Sequence, residues 1–394
     1  MAELSLICRA ARKNERAQEP LWLATVMRVK GSAYRHPGAR MLFSNGEVLA
    51  GSVSGGCLEA GIARKGPWLA REHPTCIRFD GSRDDGDDDD DDDAPRGTGC
   101  DGIVDILLER ASFDSASAPL AVIEDCLRGE RRAALATVFE SRDALAPVGA
   151  RLTLDEAGKF STCTLSGPAW ATLAQAAENA MAEPRAQTRL IQADQFQALL
   201  EVIEPPPHLF VFGAGPDALP LVEFATALGF GVTVCETSAR TVLRERFVGR
   251  AELHVGSIES VARKVAVRRT PVAVVMSHHY PTDQRALAML LESHASYIGM
   301  LGPLRRTERM LHELFPDASE LATRDRARVR APLGLDLGGE NPAQIALSAI
   351  AEIQAVLAHA SGLPLSQRTN RPIHHPTSVC STDTPRMLAK TGTA

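Results

Sequence analysis

The chain has 394 residues, of which 44% are hydrophobic, 5% aromatic and 23% charged. At roughly 150 residues per domain this length predicts two or three domains, and the composition excludes both a small disulfide-stapled scaffold and wholesale disorder. The aromatic content is too low for a large base-stacking surface, so we expect no nucleic-acid partner. The formal net charge of −6 depends on residues 84–93, which hold nine acidic side chains. Without them the chain is slightly basic.

Neither a membrane span nor a metal site is indicated. The longest apolar runs fall far short of the roughly 18 residues that a membrane helix requires, and the N-terminus turns basic after a short apolar stretch, unlike a secretory signal. We therefore expect a cytoplasmic protein with no membrane partner. Eight cysteines are scattered without a Cys-x-x-Cys pair, so no zinc site is predicted and most thiols are expected to be free and buried.

The first half of the chain is rich in short, β-prone runs bounded by turn residues. These runs predict strands at residues 21–29, 40–43, 76–79, 103–108, 134–139 and 151–154. Helices are predicted near residues 120–127 and 169–182. We expect an N-terminal α+β domain over residues 1–204, with the acidic run 84–93 as a solvated loop insertion.

Three consecutive prolines, Pro205 to Pro207, cannot continue a helix or a central strand and predict a stiff joint. Strands then alternate with helices, which is typical of βαβ units and a parallel sheet. Asn341 is the predicted N-cap of the last helix. The sequence thus predicts an α/β chain whose second domain, residues 205–363, is Rossmann-like and doubly wound. Residues 364–394 lack periodicity and are predicted to be a disordered tail.

A glycine pattern follows the first strand of the second domain. Gly213, Gly215 and Ala218 have the spacing G-x-G-x-x-A, and Glu236 ends the next predicted strand. In dinucleotide-binding domains such glycines let the backbone approach a pyrophosphate at a helix N-terminus, and an acid roughly 20 residues later binds the ribose. We expect a nucleotide or pyrophosphate here. A domain of the same shape that binds no nucleotide is the alternative.

A run of small residues in the first domain contains Ser54, Gly55, Gly56 and Cys57. Its backbone amides could bind an anion, and its thiol could act as a soft ligand or a sulfur acceptor. The alternative is a flexible loop whose cysteine is the first buried residue of the next helix. A second glycine-flanked cysteine, Cys100, suggests a shared pocket, unless its glycines are only a turn into the following strand.

Two arginines, Arg35 and Arg40, lie on a loop shaped by glycine and proline. They could hold a phosphate through bidentate hydrogen bonds. Solvated arginines on an ordinary hairpin are the alternative.

His278 and Asp283 follow an apolar strand of the second domain. Ligands bind at the carboxyl ends of parallel strands in such sheets, and the pair could do acid–base work there. A packed His278 and a helix-capping Asp283 are the alternative.

Taken together, these segments resemble the XdhC/CoxI family of xanthine dehydrogenase accessory proteins over roughly Leu21 to Leu357. In the first domain the resemblance is carried by Gly31-Ser32, Arg35, Pro37 to Met41, Gly51 to Glu59 and Gly99 to Gly102. In the second it is carried by Gly213 to Gly215 with Ala218, Ser277-His278 with Asp283, Gly299 to Gly302, Pro332 to Gly338 and Ile345 to Ile353. The chain departs from the family pattern at Tyr34, Asp101, Pro216, Glu236 and Pro303.

The resemblance implies a chaperone rather than an enzyme. Such a protein binds molybdenum cofactor (molybdopterin) transiently, protects it during sulfuration by a cysteine desulfurase and inserts it into an apo xanthine dehydrogenase-type hydroxylase. A homo-oligomer is also expected. In this interpretation Arg40 with Ser54 to Gly56 holds the pterin phosphate, and Cys57 or Cys100 contacts the molybdenum or its dithiolene.

Two other functions remain open from the sequence. One is an NAD(P)-dependent oxidoreductase that uses the Rossmann half, with His278 and Asp283 as proton-transfer groups. The other is an inert scaffold that bridges the desulfurase and the hydroxylase.

Overall fold

The structure, a computed structural model, describes residues 2–81, 102–184, 187–237, 245–317, 323–367 and 378–381. The predicted acidic insertion 84–93 and Cys100 lie outside these ranges. The chain divides into two units: an N-terminal unit formed by residues 3–204 with the strand Ser378–Ser381, and a C-terminal unit that begins at Pro205. Within the described ranges, no helix has the length and apolar character needed to cross a membrane.

The described residues of the N-terminal unit form two sheets. The first is antiparallel, with the order β3-β2-β1-β5-β4. Its strands are β1 (Trp22–Lys30), β2 (Arg40–Ser44), β3 (Glu47–Gly51), β4 (Thr75–Asp80) and β5 (Ile103–Arg110). Two helices belong to this half, α1 (Ala2–Glu15) and α2 (Glu59–Leu69). Alternate side chains of β1 point to opposite faces: Trp22 packs in the same cluster as Ile62 of α2, and Leu23 packs with Ile7 of α1.

The second sheet of this unit is formed by β6 (Ala133–Ser141), β7 (Arg151–Asp155), β8 (Phe160–Cys163), β9 (Thr188–Gln192), β10 (Phe196–Ile203) and Ser378–Ser381. The remaining helices of the unit are α3 (Pro119–Gly129) and α4 (Gly167–Ala182). Leu135 of β6 packs with Leu23 of the first sheet and Ile123 of α3, so the two sheets share a core. Helix α4 covers the other face, with Leu173 against Leu152. All six strands predicted for this half are present.

The prediction of a wholly disordered tail is wrong for residues 378–381. They pair in parallel with β9, placing Val379 opposite Leu190 and Cys380 opposite Ile191. The physical reason is that an edge strand offers unpaired backbone groups to any extended, β-prone segment that reaches it.

The C-terminal unit contains a parallel sheet with the order β13-β12-β11-β14-β15-β16. Its strands are β11 (His208–Phe212), β12 (Gly231–Glu236), β13 (Glu252–Val255), β14 (Pro271–Val275), β15 (Tyr297–Met300) and β16 (Val329–Arg330). Its helices are α5 (Ala218–Ala227), α6 (Ile258–Ala266), α7 (Tyr280–Glu292), α8 (Leu304–Leu314), α9 (Thr323–Arg328) and α10 (Pro342–Leu357). The strand order reverses between β11 and β14, which confirms the predicted Rossmann-like arrangement.

Helices cover both faces of this sheet, as a doubly wound fold requires. Leu209 and Val211 pack on one face with Ile350 of α10, and Phe210 packs on the other with Leu287 of α7. The predicted N-cap Asn341 accepts a hydrogen bond from the Gln344 backbone amide, and the Asn341 backbone amide donates to the Gln344 side-chain oxygen, forming a capping box.

Candidate functional site

The small-residue run of the N-terminal unit, residues 51–58, is an anion-binding loop filled by the chain's own carboxylate. We call it the cysteine loop. Glu59, the first residue of α2, turns its side chain back into the loop. Its Oε1 accepts from the Ser54 amide at 2.8 Å and the Val53 amide at 3.2 Å, and its Oε2 accepts from the Gly56 amide at 3.0 Å. The predicted nest exists, and Glu59 is its occupant.

The same contacts keep Glu59 ionised. Burial works to raise the pKa of this carboxyl, but the hydrogen bonds from the Ser54 hydroxyl and amide, and from Ser52, hold it below its ordinary value. The carboxylate also lies at the positive end of α2, which favours the charge. The cysteine loop is therefore tied to α2 by one buried anion.

Cys57 is exposed, so the alternative in which it is the first buried residue of the helix is wrong. Among the described cysteines, Cys8, Cys126 and Cys235 are buried, and burial raises the pKa of Cys8 to about 11 and that of Cys126 to about 12. Cys57 instead lies at the exposed end of the cysteine loop, beside Gly55 and Gly56, which are also exposed. Among the cysteines whose burial the structure describes, it is the one classed as exposed.

The loop that follows β1 contacts both the cysteine loop and the residue that precedes β5. The Tyr34 ring packs on Gly55, where an added Cβ would lie 3.2 Å from Tyr34 Cγ. Gly102 packs on the backbone of Ser32, and a Cβ there would lie 2.1 Å from the Ser32 carbonyl oxygen, so only glycine fits. The end of β1, the start of β5 and the cysteine loop are thus linked through residues 32–34. Cys100 lies outside the described residues, and its sharing of the pocket stays a prediction.

An open depression adjoins Tyr34. It is lined by Ser32, Ala33, Tyr34, Arg35, His36, Pro37 and Ala39. The Tyr34 side chain is 72% exposed, so the depression presents an aromatic face to solvent beside the cysteine loop.

Arg40 is not in this depression, contrary to the expected role in phosphate binding. It is 3% exposed, and its guanidinium forms a bidentate ion pair with Glu201 of β10, with Nη1–Oε1 at 3.0 Å and Nη2–Oε2 at 2.6 Å. A buried guanidinium requires such a partner because desolvation of an unpaired charge is expensive. Arg35 of the same motif lines the depression and pairs with Glu3.

The glycine motif of the C-terminal unit lies at the carboxyl end of β11. Gly213 has φ +120°, and an added Cβ would lie 2.6 Å from the Met276 carbonyl oxygen, so the ends of β11 and β14 touch there. Ala218 begins α5 and is fully buried. Glu236 ends β12, is partly exposed and accepts from the Thr237 amide at 2.8 Å. The motif therefore has the expected position at the switch point of the sheet.

His278 and Asp283 form hydrogen bonds with different partners. His278 has φ +61° and a side chain 63% exposed, and its Nε2 lies 2.8 Å from Oδ2 of Asp217. The alternative of a packed His278 is therefore wrong. Asp283 is buried inside the first turn of α7, where Oδ1 accepts from Ser277 Oγ at 2.5 Å and Oδ2 from Arg306 Nη2 at 2.7 Å. Its contacts are those of a buried structural anion rather than of a helix N-cap.

Sequence reasoning assigned no role to Glu59, Asp217, Glu201 or Tyr34. Glu59 had one detectable signal, an acid in the first turn of a helix that follows a glycine-rich run. Asp217 had a similar one at an N-cap position. Glu201 had none, because its partner is 161 residues away. Among the residues that the structure covers, no group of three or more His, Cys, Asp or Glu side chains is arranged to hold a metal ion.

Comparisons with known proteins identify relatives that span both units. A family model described as the XdhC and CoxI family matches residues 15–80, and one described as the XdhC Rossmann domain matches residues 209–353. A probable xanthine dehydrogenase subunit of Bacillus subtilis (strain 168) is 30% identical over 338 residues, which cover 85% of this chain and 93% of that protein. The uncharacterized protein YqeB of Escherichia coli (strain K12) is 28% identical over 170 residues, 43% of this chain and 30% of its own.

A solved structure is similar to this chain in its fold. The crystal structure of a xanthine dehydrogenase from Bacillus halodurans is 25% identical, covers 94% of this chain and 98% of its own, and superposes with a TM-score of 0.70.

Proposed function

The chain belongs to the XdhC and CoxI family, and from this premise we propose that it is an accessory factor of a xanthine dehydrogenase-type molybdenum hydroxylase. In this role it binds molybdenum cofactor as cargo, protects it and delivers it to the apo-hydroxylase, without turnover of its own. The name of the Bacillus subtilis relative, a probable xanthine dehydrogenase subunit, supports the association with the hydroxylase.

One observation carries the cargo proposal: the Cys57 thiol is exposed at the end of a loop that Glu59 holds in place. Thiolate sulfur is a soft ligand suited to a soft metal–sulfur centre. A pre-formed loop also avoids the entropy cost of ordering the ligand when the cargo arrives. Gly55 and Gly56 are exposed and carry no side chain that would keep the cargo from this sulfur.

The neighbouring depression suits the organic part of the cargo. A pterin is flat, and the exposed Tyr34 ring offers a surface on which a flat ring can stack. Arg35 lines the same depression, and a phosphate would compete there with Glu3 for its planar guanidinium. Because Glu59 already fills the nest, Ser54 to Gly56 shape the approach to Cys57 in this proposal rather than donating to the phosphate.

Delivery requires partners. We extend the proposal to a cysteine desulfurase, which would supply the sulfur for the bound cargo, and to self-association of the chain. Co-purification of the full chain with the desulfurase and the apo-hydroxylase, with and without cargo, tests both extensions. Stable complexes that do not depend on cargo would favour an inert scaffold instead.

The decisive experiment is an anaerobic titration of the full chain with molybdenum cofactor. We expect one saturable site in the wild type and a loss of affinity of about tenfold or more, equivalent to about 1.4 kcal/mol, in Cys57→Ala. Cys163→Ala is the matched control, because Cys163 is a partly exposed free cysteine on β8. Cys100→Ala tests whether the second cysteine contributes.

Reconstitution of an apo-hydroxylase provides the second readout. Cargo carried by the wild type should restore hydroxylase activity, and cargo offered to Cys57→Ala should be lost to oxidation first. Tightly held NAD without affinity for the cofactor, together with NADH-dependent turnover of a substrate, would overturn the proposal in favour of an oxidoreductase.

A further inference from the structure

We infer that the glycine turn of the C-terminal unit rejects the pyrophosphate of a dinucleotide, because the chain's own Asp217 carboxylate, held by His278, lies over that turn. The inference is independent of the cargo proposal. A Rossmann domain leads one to expect a nucleotide at this edge, and the residues present do not fit its diphosphate.

Three positions of the turn have no free amide to offer a phosphate. A bound pyrophosphate accepts hydrogen bonds from amides that follow the second glycine and begin the helix. Pro216 occupies the first of these positions and has no N–H. The Ala218 amide donates to the Gly215 carbonyl at 3.2 Å and the Leu219 amide to the Pro216 carbonyl at 3.4 Å. The turn thus uses the Ala218 and Leu219 amides on itself.

The space over the second glycine is already filled. In a dinucleotide-binding turn this glycine lacks a side chain so that a pyrophosphate can approach the backbone. An added Cβ at Gly215 would lie 2.3 Å from Asp217 Oδ1, so the Asp217 carboxylate takes the place of the phosphate. Its other oxygen, Oδ2, lies 2.8 Å from His278 Nε2.

The charge of Asp217 also opposes a diphosphate. A diphosphate in this turn would face a carboxylate of the same sign at close range, which is unfavourable for both groups. The His278 contact ties Asp217 to the loop after β14, so moving the carboxylate aside also breaks that bond. The filled space over Gly215, the missing amide at Pro216 and the negative charge of Asp217 all oppose phosphate binding.

Removal of the Asp217 carboxylate should therefore allow a diphosphate ligand to bind to the turn. The full-length wild type, Asp217→Ser and the double variant Asp217→Ser with Pro216→Gly are titrated with NADH by fluorescence and with ADP by calorimetry. Serine keeps a good N-cap residue, and glycine restores an amide. We expect no saturable binding by the wild type at millimolar ligand, and an affinity at least about tenfold higher, or about 1.4 kcal/mol, in the double variant.

Glu223→Gln is the matched control. This residue also lies on α5, its carboxylate is 48% exposed, and its substitution removes the same charge without touching the turn. Equal affinity of the wild type and the double variant for either ligand would overturn the inference. Absence of binding in every variant would overturn it as well, since the block could then not be assigned to Asp217 and Pro216.

Discussion

Arg40 and Glu201 form a buried bidentate ion pair that joins the two sheets of the N-terminal unit, since Arg40 begins β2 and Glu201 lies in β10. Both side chains are at most 9% exposed. The Arg40 Nη1 also donates to the Gly38 carbonyl at 2.9 Å, so the pair anchors the loop that carries Tyr34 and Arg35. One buried ion pair therefore holds the two sheets together and also anchors the loop that lines the candidate site.

Breaking that pair should be costly. Glu201→Ala leaves a buried guanidinium without its partner, and we expect a loss of about 3–5 kcal/mol in the free energy of unfolding. Urea titration followed by tryptophan fluorescence reports on this unit, because Trp22, Trp68 and Trp170 all lie in it.

Two further variants make this prediction specific. Replacing both partners, Arg40→Met with Glu201→Leu, should recover most of the loss, because no unpaired charge remains. Glu15→Ala breaks the exposed pair with Arg12 and should cost less than about 1 kcal/mol. A Glu201→Ala loss as small as that of Glu15→Ala would contradict the structural role of the buried pair.

Glu59→Gln should destabilise the N-terminal unit in a pH-dependent way. The pKa of Glu59 is held below its ordinary value, so its charge adds stability above the ordinary carboxyl range and this is lost as the pH falls through the lowered pKa. We expect a difference from the wild type of about 1–3 kcal/mol near neutral pH, shrinking only in acid. Exposed Glu47 of β3 supplies the control, Glu47→Gln. A difference independent of pH would show that the charge plays no part.

Cys57 should react with iodoacetamide before Cys8 and Cys126 do. At about pH 8 a pKa of about 12 leaves only ~10⁻⁴ of the Cys126 thiol ionised, and Cys126 is also buried. Peptide mass mapping of the native protein checks the order of alkylation. Cys57→Ser should leave the slow alkylation of Cys8 and Cys126 unchanged, and urea should bring both to the rate of Cys57 in the wild type. Alkylation of Cys8 or Cys126 at the rate of Cys57 would contradict the placement of the loop.

His208 should make the C-terminal unit sensitive to mild acid. Burial lowers the pKa of His208, whose Nε2 lies 2.8 Å from Thr233 Oγ1, to about 4. The unfolded state binds more protons between about pH 6.5 and 4, so the contribution is fully present above about pH 6.5 and is lost toward about pH 4, up to roughly 3 kcal/mol. Calorimetry of the wild type and His208→Gln checks this. An equal acid sensitivity of the two proteins would exclude His208 as the cause.

Much of the fold could be predicted from local patterns. The β-prone runs of the first half became strands, the alternation after Pro207 became a parallel sheet, and Asn341 became an N-cap. These predictions succeeded because hydrophobic period, β-propensity and capping act over a few residues. The glycine spacing at Gly213 likewise located the turn at the switch point.

What surrounds the candidate sites was decided by the tertiary structure. The sequence by itself determined where the glycine turns and the cysteine loop begin, and that their residue types can serve a ligand. Only folding put Arg40 against Glu201 and Asp217 against His278, partners 161 and 61 residues apart. The reason is that a polar group removed from water takes whichever partner the fold brings to it, and that choice leaves no trace in the local pattern. Folding thus made Arg40 a structural residue, placed one of the chain's own carboxylates at each of the two glycine-rich turns and left Cys57 exposed.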